Sequence, residues 1–179
     1  LSQAQRERLA YLELRVFFMG ELRCADIEQR FGVKPAAASR DISVYRELAP
    51  QNLAYDLSLR CYVAAPNFSP LFDMRPDRVL TWLAQGFGDG LDLGLPTQTP
   101  FEGPHHFFAP DLLTLAALTR AICAEKAVAI DYLSVSTGTK RREVVPVALA
   151  DNGLRWHLRA YDRSKKQFAD FVITRIRQV

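Results

Sequence analysis

LRCADIEQRFGVKPAAASRDISVYREL, Leu22 to Leu48, decides how the first part of this chain folds. Ala25, Ile27 and Phe31 mark a short helix and Gly32-Val33 a turn. Pro35 opens a second helix at the position where a missing amide costs nothing. Two helices joined by a tight glycine turn predict a helix-turn-helix. At about 100° per residue, Ala38, Ile42, Tyr45 and Ala49 of the second helix share one stripe, and Ala36, Ala37, Arg40, Ser43, Val44 and Glu47 lie opposite. An outer face that serves only solubility carries long charged side chains, whereas this one has small residues around one arginine. Small side chains let a helix press into a major groove, where alanines meet thymine methyls and Ser43 reaches base edges. Arg40 would read guanine or grip phosphate, and Lys34 would add charge at the entry.

Upstream, Ser2 is placed to cap a helix reaching Met19, with Leu9, Leu12, Val16 and Met19 at helical spacing and Gly20 as its stop. Downstream, NLAYDLSLRCYVAAP predicts a hairpin: a strand ending near Tyr55, a turn through Asp56 and Ser58, and a strand from Arg60 to Ala64. That hairpin is the wing of a winged helix-turn-helix. The candidate contacts to double-stranded DNA are Lys34, Ala36, Ala37, Ser39, Arg40, Ser43 and Arg60. Asn67 to Pro76 reads as a linker, followed by a short helix capped by Asp77 and running through Val79, Leu80 and Leu83 to about Gly86. Residues 86–110 hold five glycines and four prolines and predict a long, partner-dependent loop. GFGDG, from residue 86, has neither the preceding strand nor the following helix of a nucleotide-binding loop, and His105-His106 lacks companion metal ligands.

From Asp111, a second helix cap, LLTLAALTRAICAEK carries a broad apolar stripe of Leu112, Leu115, Ala116, Leu118 and Ile122. The period then changes to two, predicting strands over 127–133, 143–149, 154–161 and 168–173, with Asp151-Asn152-Gly153 as a two-residue type I′ hairpin turn. Four short strands entered from a helix predict an α+β arrangement ending in a small curled sheet or SH3-like barrel. Within GLRWHLRAYD, Trp156, Leu158 and Ala160 face one way, and Arg155, His157, Arg159 and Tyr161 the other. The first set is a core face. The second suits an anion: arginine forks grip phosphate oxygens, histidine donates to them, and Tyr161 offers a ring for a base. Arg141 or Arg142 from the neighbouring strand, Arg175, and Ser134, Ser136 and Thr137 of the loop after the first strand are placed to add donors. The plainer alternative is a solvated face whose arginines pair with Asp131, Asp162 or Asp170.

The 179 residues carry 23 Lys and Arg against 20 Asp and Glu, and the surplus is uneven: ten against five from residue 127 onward, nine against eight up to residue 66. No apolar run approaches the ~18 residues of a membrane span and no signal-peptide core opens the chain, so a cytoplasmic protein without a membrane partner is expected. Cys24, Cys61 and Cys123 have no CxxC spacing and are expected as reduced, buried thiols. No paired carboxylates, activated nucleophile or metal-ligand set accompanies His157, so neither an enzyme nor a cofactor is expected. Leu1 in place of an initiator methionine suggests a piece of a longer protein.

The second half resembles the WYL domain on Tyr132, Arg142, Pro146, the triplet Trp156-His157-Leu158, with histidine at the family's tyrosine, and Arg175-Ile176. Arg120-Ala121-Ile122 and the upstream Ser39-Arg40-Asp41-Ile42 fit the same pattern. The resemblance spans nearly the whole chain and is nearest to repressors that accompany phage-defence operons. It implies a homodimer that binds a palindromic operator, a Sm-like or SH3-like WYL barrel that senses a nucleotide or single-stranded nucleic-acid effector, and a further C-terminal domain. The expected organisation is a winged domain over 1–66, a linker with a short helix and long loop over 67–110, and a WYL domain over 111–179. Tyr132, Ser134, Ser136, Arg142, His157, Arg159, Tyr161 and Arg175 are the candidate ligand contacts. The competing expectation is an RNA- or single-strand-binding accessory module without operator specificity.

Overall fold

The computed structural model describes residues 1–85, 87, 110–135 and 138–179. The expected long loop, GFGDG (bar Phe87), His105-His106, Ser136 and Thr137 lie outside the described residues. The chain divides into two compact units, Leu1–Met74 and Arg75–Val179.

In the first unit, Ser2 caps α1 (Gln3–Leu14) by accepting from the Gln5 amide, and a π-helical turn, Arg15–Met19, carries it to Gly20 in the left-handed region. The expected single helix to Met19 therefore changes its hydrogen-bond pattern before it stops. Next come α2 (Cys24–Phe31), Gly32 at φ +63°, and α3 (Pro35–Leu48), with Pro35 in its first turn. β1 (Leu53–Asp56) and β2 (Cys61–Ala64) form the antiparallel wing. Arg60 is not the first residue of the second strand; it sits in the turn at φ +52°. A bridge between Leu22 and Tyr62 fastens the wing to the segment before α2. Leu9, Leu12, Val16, Ile27, Ala38, Ile42 and Tyr45 make the core, with Phe68 and Phe72 packed on it. The early part of the expected linker thus belongs to this unit.

In the second unit, α4 (Pro76–Gln85) starts one residue before the expected cap, so Asp77 lies in its first turn. Asp111 caps α5 (Leu112–Cys123) by accepting from the Thr114 amide. The sheet has five strands where four were expected: β3 (Val128–Ser134), β4 (Gly138–Asp151), β5 (Trp156–Asp162), β6 (Gln167–Val172) and, after a 3₁₀ turn, β7 (Ile176–Gln178). All neighbours pair antiparallel in the order β6-β5-β4-β3-β7. Leu118 of α5 joins Ile130, Val144, Leu158, Ala160, Phe171, Ile173 and Ile176 in the core. Tyr132 and Phe171 belong to strands three spacings apart, about 14 Å in a flat sheet, yet their ring centroids are 5.0 Å apart. The sheet is therefore strongly curled over its inner face. Among the described residues β6 and β7 do not pair, so the strand order is that of an open sheet.

The expected two-residue turn is also corrected. Asp151 pairs with Trp156, so the connection is Asn152–Arg155. Asn152 Oδ1 accepts from the amides of Leu154 and Arg155 and Asp151 Oδ1 from that of Gly153, so side chains close a longer loop that the dipeptide signal does not foresee. Of the cysteines only Cys61 is buried; Cys24 is half-buried, Cys123 is exposed, and all are free of disulfides.

Candidate nucleic-acid interface and ligand face

On α3, Ala38, Asp41, Ile42 and Tyr45 are buried, and Lys34, Ala36, Ser39, Arg40 and Ser43 are exposed, with Ala37 half-buried at the edge. Val44, assigned by its angle to the outer stripe, packs against the core because that stripe borders the buried one. The Ser43 hydroxyl donates back to the Ser39 carbonyl at 3.1 Å, which keeps the Ser43 side chain close to the helix.

The helix is pinned from behind. Arg8 of α1 holds Asp41 through Nε at 2.5 Å and Nη2 at 3.3 Å, and Gln5 adds a bond at 3.1 Å. The hydrogen bond that Arg8 donates to Asp41 holds its guanidinium above the ordinary value, outweighing the opposing effect of burial. Asp41 turned inward leaves its neighbour Arg40 turned outward, the arrangement a reading helix needs.

At the wing, Asp56 Oδ1 accepts from the Ser58 amide and hydroxyl and from the Leu59 amide. Those bonds, the Ser58 hydroxyl's foremost, hold the Asp56 carboxyl below its ordinary value. They also tie up the one acidic group of the turn, leaving Arg60 exposed beside it. Arg23, which the motif reading passed over, donates to the Leu59 carbonyl at 3.3 Å and pairs with Glu21. Nothing local in the sequence marks Arg23 as a wing brace, since the two residues are 36 positions apart.

The expected ligand residues divide between two faces. On β5 the parity is as read: Leu158 and Ala160 are fully buried, Arg159 is exposed, and His157 and Tyr161 are half-buried on the outer side. Arg159 faces Asp170 across the β5–β6 pair, with Nη1 3.3 Å from both carboxylate oxygens, so the ion pair anticipated as the plainer alternative is present. Phe168, opposite Tyr161 on β6, meets its ring edge-on at 5.4 Å and stays exposed. Its alternation with the buried Phe171 was the only signal by which it might have been picked out.

Arg142 lies on the other face. It has the same parity as Val144 on β4 and reaches Asp162 at 2.7 Å in a pair of which Arg142 is 13% and Asp162 1% exposed. Burial pushes the Asp162 carboxyl up, but bonds from Ser164, Lys165 and Arg142 outweigh it and hold the group below its ordinary value. The Arg142 Nε–H is buried without a partner among the described residues. Tyr132 likewise turns inward onto Phe171 and the core. Ser134 ends β3 opposite Gly138, and Arg175 is half-buried in the 3₁₀ turn. The single ligand face expected from these residues is thus corrected to an outer trio, His157, Arg159 and Tyr161, and an inner pair, Tyr132 and Arg142. Among the described residues no group of three or more His, Cys, Asp or Glu side chains is placed to hold a metal ion, and no helix is long and apolar enough to cross a membrane.

The family of BrxR transcriptional regulator winged helix-turn-helix domains matches residues 4–85, and the WYL domain family matches residues 114–179. The chain carries these two domains in succession. Among its relatives, a DNA-binding transcriptional repressor CapW of Stenotrophomonas maltophilia is 32% identical over 180 residues, covering 96% of this chain and 60% of the relative. Proteins of the same name from Escherichia coli strain KTE188 and Pseudomonas aeruginosa are 29% and 27% identical, each covering 97% of this chain and 60% of the relative. This WYL-domain chain therefore spans about three fifths of the length of the curated relatives it matches.

Proposed function

We propose that the chain represses transcription by binding an operator in double-stranded DNA through α3 and the wing, and that a nucleotide or single-stranded nucleic acid on the WYL sheet modulates that binding. The observation that carries the reading is the division of α3 into a buried face locked by Arg8–Asp41 and an exposed face of small residues around Arg40. Relatives named as DNA-binding transcriptional repressors support it. Lys34, Ala36, Ala37, Ser39, Arg40, Ser43 and Arg60 are the proposed duplex contacts. On the sheet, His157, Arg159 and Tyr161 would take the anionic effector, with Phe168 widening the aromatic surface on which a base stacks. The curl that brings Tyr132 onto Phe171 supports a barrel of SH3-like or Sm-like form. Among the described residues the sheet's end strands β6 and β7 have no further strand partner, and pairing with a second copy would cover such edges, which supports a homodimer.

Selection of bound sequences from a random duplex pool, followed by competition with single-stranded oligonucleotides at fixed salt, tests the reading. A preferred duplex that single strands fail to displace supports operator binding. Preference for single strands, with no duplex enriched, would instead support the accessory-module alternative, for which the exposed Phe168 beside Tyr161 speaks. His157→Ala and Arg159→Ala are expected to keep duplex affinity while abolishing release by a nucleotide panel.

A further inference from the structure

Behind the reading face of α3 lies a buried polar chain that contact with DNA does not use. Tyr45 of α3 donates its hydroxyl to Glu13 of α1 at 2.5 Å, and Glu13 also accepts from the backbone amides of Leu71 and Phe72 at 2.8 and 3.0 Å. Asn52, between α3 and β1, donates to the Tyr45 oxygen at 2.9 Å and to the Ser69 carbonyl at 2.7 Å, and accepts from the Ser69 amide at 3.0 Å. Glu13, Tyr45 and Asn52 are all 0% exposed. The segment they hold is anchored by Phe68, stacked on Phe17 at 4.5 Å, and by Phe72 on the core. It ends at Met74, the last residue of the first unit.

A buried carboxylate needs its hydrogen bonds, and two of the three that Glu13 receives come from the backbone of one irregular segment. Asn52 likewise spends two of its three bonds on Ser69. If residues 69–72 are drawn away, Glu13 keeps only Tyr45, and Asn52 keeps only the Tyr45 oxygen. Buried groups left unpaired are costly, and the partner that both Glu13 and Asn52 would keep, Tyr45, sits on α3. With Glu13, Tyr45 and Asn52 all fully buried, solvent does not reach these groups to replace a lost bond.

We propose that Glu13, Tyr45 and Asn52 form a latch through which the segment Ser69–Phe72 positions α3, so that displacement of the segment at the junction with the second unit lowers affinity for duplex DNA. The proposal rests on the reading that α3 binds the duplex. Coupling of this kind is reciprocal: whatever fixes α3 must also fix the segment.

The test uses the full chain and the duplex selected above, with amide hydrogen exchange read by NMR. Bound duplex should slow exchange of the Leu71 and Phe72 amides at least five-fold. Tyr45→Phe, which keeps the ring, should lose most of that protection and bind the duplex at least five-fold more weakly. Ile27→Val, in the same core but off the latch, serves as a control for stability alone. Exchange at residues 71 and 72 unchanged by duplex, or Tyr45→Phe binding no worse than an equally destabilised Ile27→Val, would overturn the latch while leaving DNA binding intact. A wild-type chain that selects no duplex would overturn both.

Discussion

Arg142 and Arg159 are both strand arginines paired with aspartates, and replacing each by alanine should produce very different proteins. The Arg142–Asp162 pair sits at 13% and 1% exposure, the Arg159–Asp170 pair at 56% and 48%. Removing one partner of a buried pair leaves the other charge uncompensated and costs about 3–5 kcal/mol. Among the described residues, the other donors to Asp162 are the neutral Ser164 hydroxyl and the amides of Ser164 and Lys165, so no ion pair replaces Arg142. An exposed pair contributes about 0–1 kcal/mol. For a domain of this size each kcal/mol moves the melting temperature by roughly 4 °C or more, so Arg142→Ala should lose on the order of 12 °C or fail to fold, and Arg159→Ala a few degrees at most. Both tryptophans, Trp82 and Trp156, lie in the second unit, so a thermal melt followed by tryptophan fluorescence reports on it. Similar shifts for the two variants, or a larger one for Arg159→Ala, would refute the assignment of the two arginines to opposite faces.

Because the Asp162 carboxyl is held below its ordinary value, its ionised form stabilises the fold at neutral pH, and that contribution is lost as the pH falls from about 3.9 through the lower folded value. The acid unfolding midpoint of the second unit should therefore move upward in Ser164→Ala, which removes the leading hydrogen bond; an unchanged midpoint would contradict the assignment. Gly32 has φ +63° and open space where a Cβ would stand, so Gly32→Ala should lose only the backbone strain of about 1–2 kcal/mol, measured by urea unfolding, with a larger loss pointing to a hidden clash.

The readable part of the fold was the part written in short-range patterns. Ser2, Pro35 and Asp111 mark helix starts because capping is settled within three residues, and the parity of Leu158 and Ala160 is fixed by strand geometry alone. What failed to show depends on partners far along the chain. Arg142 was grouped with Arg159 because residue type suggested a common anion, while the register that sets Arg142 beside Ile130 and Val144 beside Asp162 emerges only once β4 pairs on both sides. β4 itself runs to Gly138, past the polar stretch Lys140–Arg142 that hid its first half. The segment Asn67–Pro76 looked like linker from its prolines, and its docking depends on Glu13, 58 residues before Leu71. Tyr45 read as an ordinary apolar stripe residue, which its ring is; its hydroxyl's partners at positions 13 and 52 lie in other elements.

The central claim is that α3 reads duplex DNA with Arg40 while the β5 arginine serves a different task. Fluorescence anisotropy of the selected duplex, titrated with wild type, Arg40→Ala and Arg159→Ala over a range of salt concentrations, tests it directly. Arg40→Ala should weaken binding at least ten-fold, and Arg159→Ala should bind as wild type does at every salt. Undiminished affinity in Arg40→Ala, or equal losses in both variants, would contradict it.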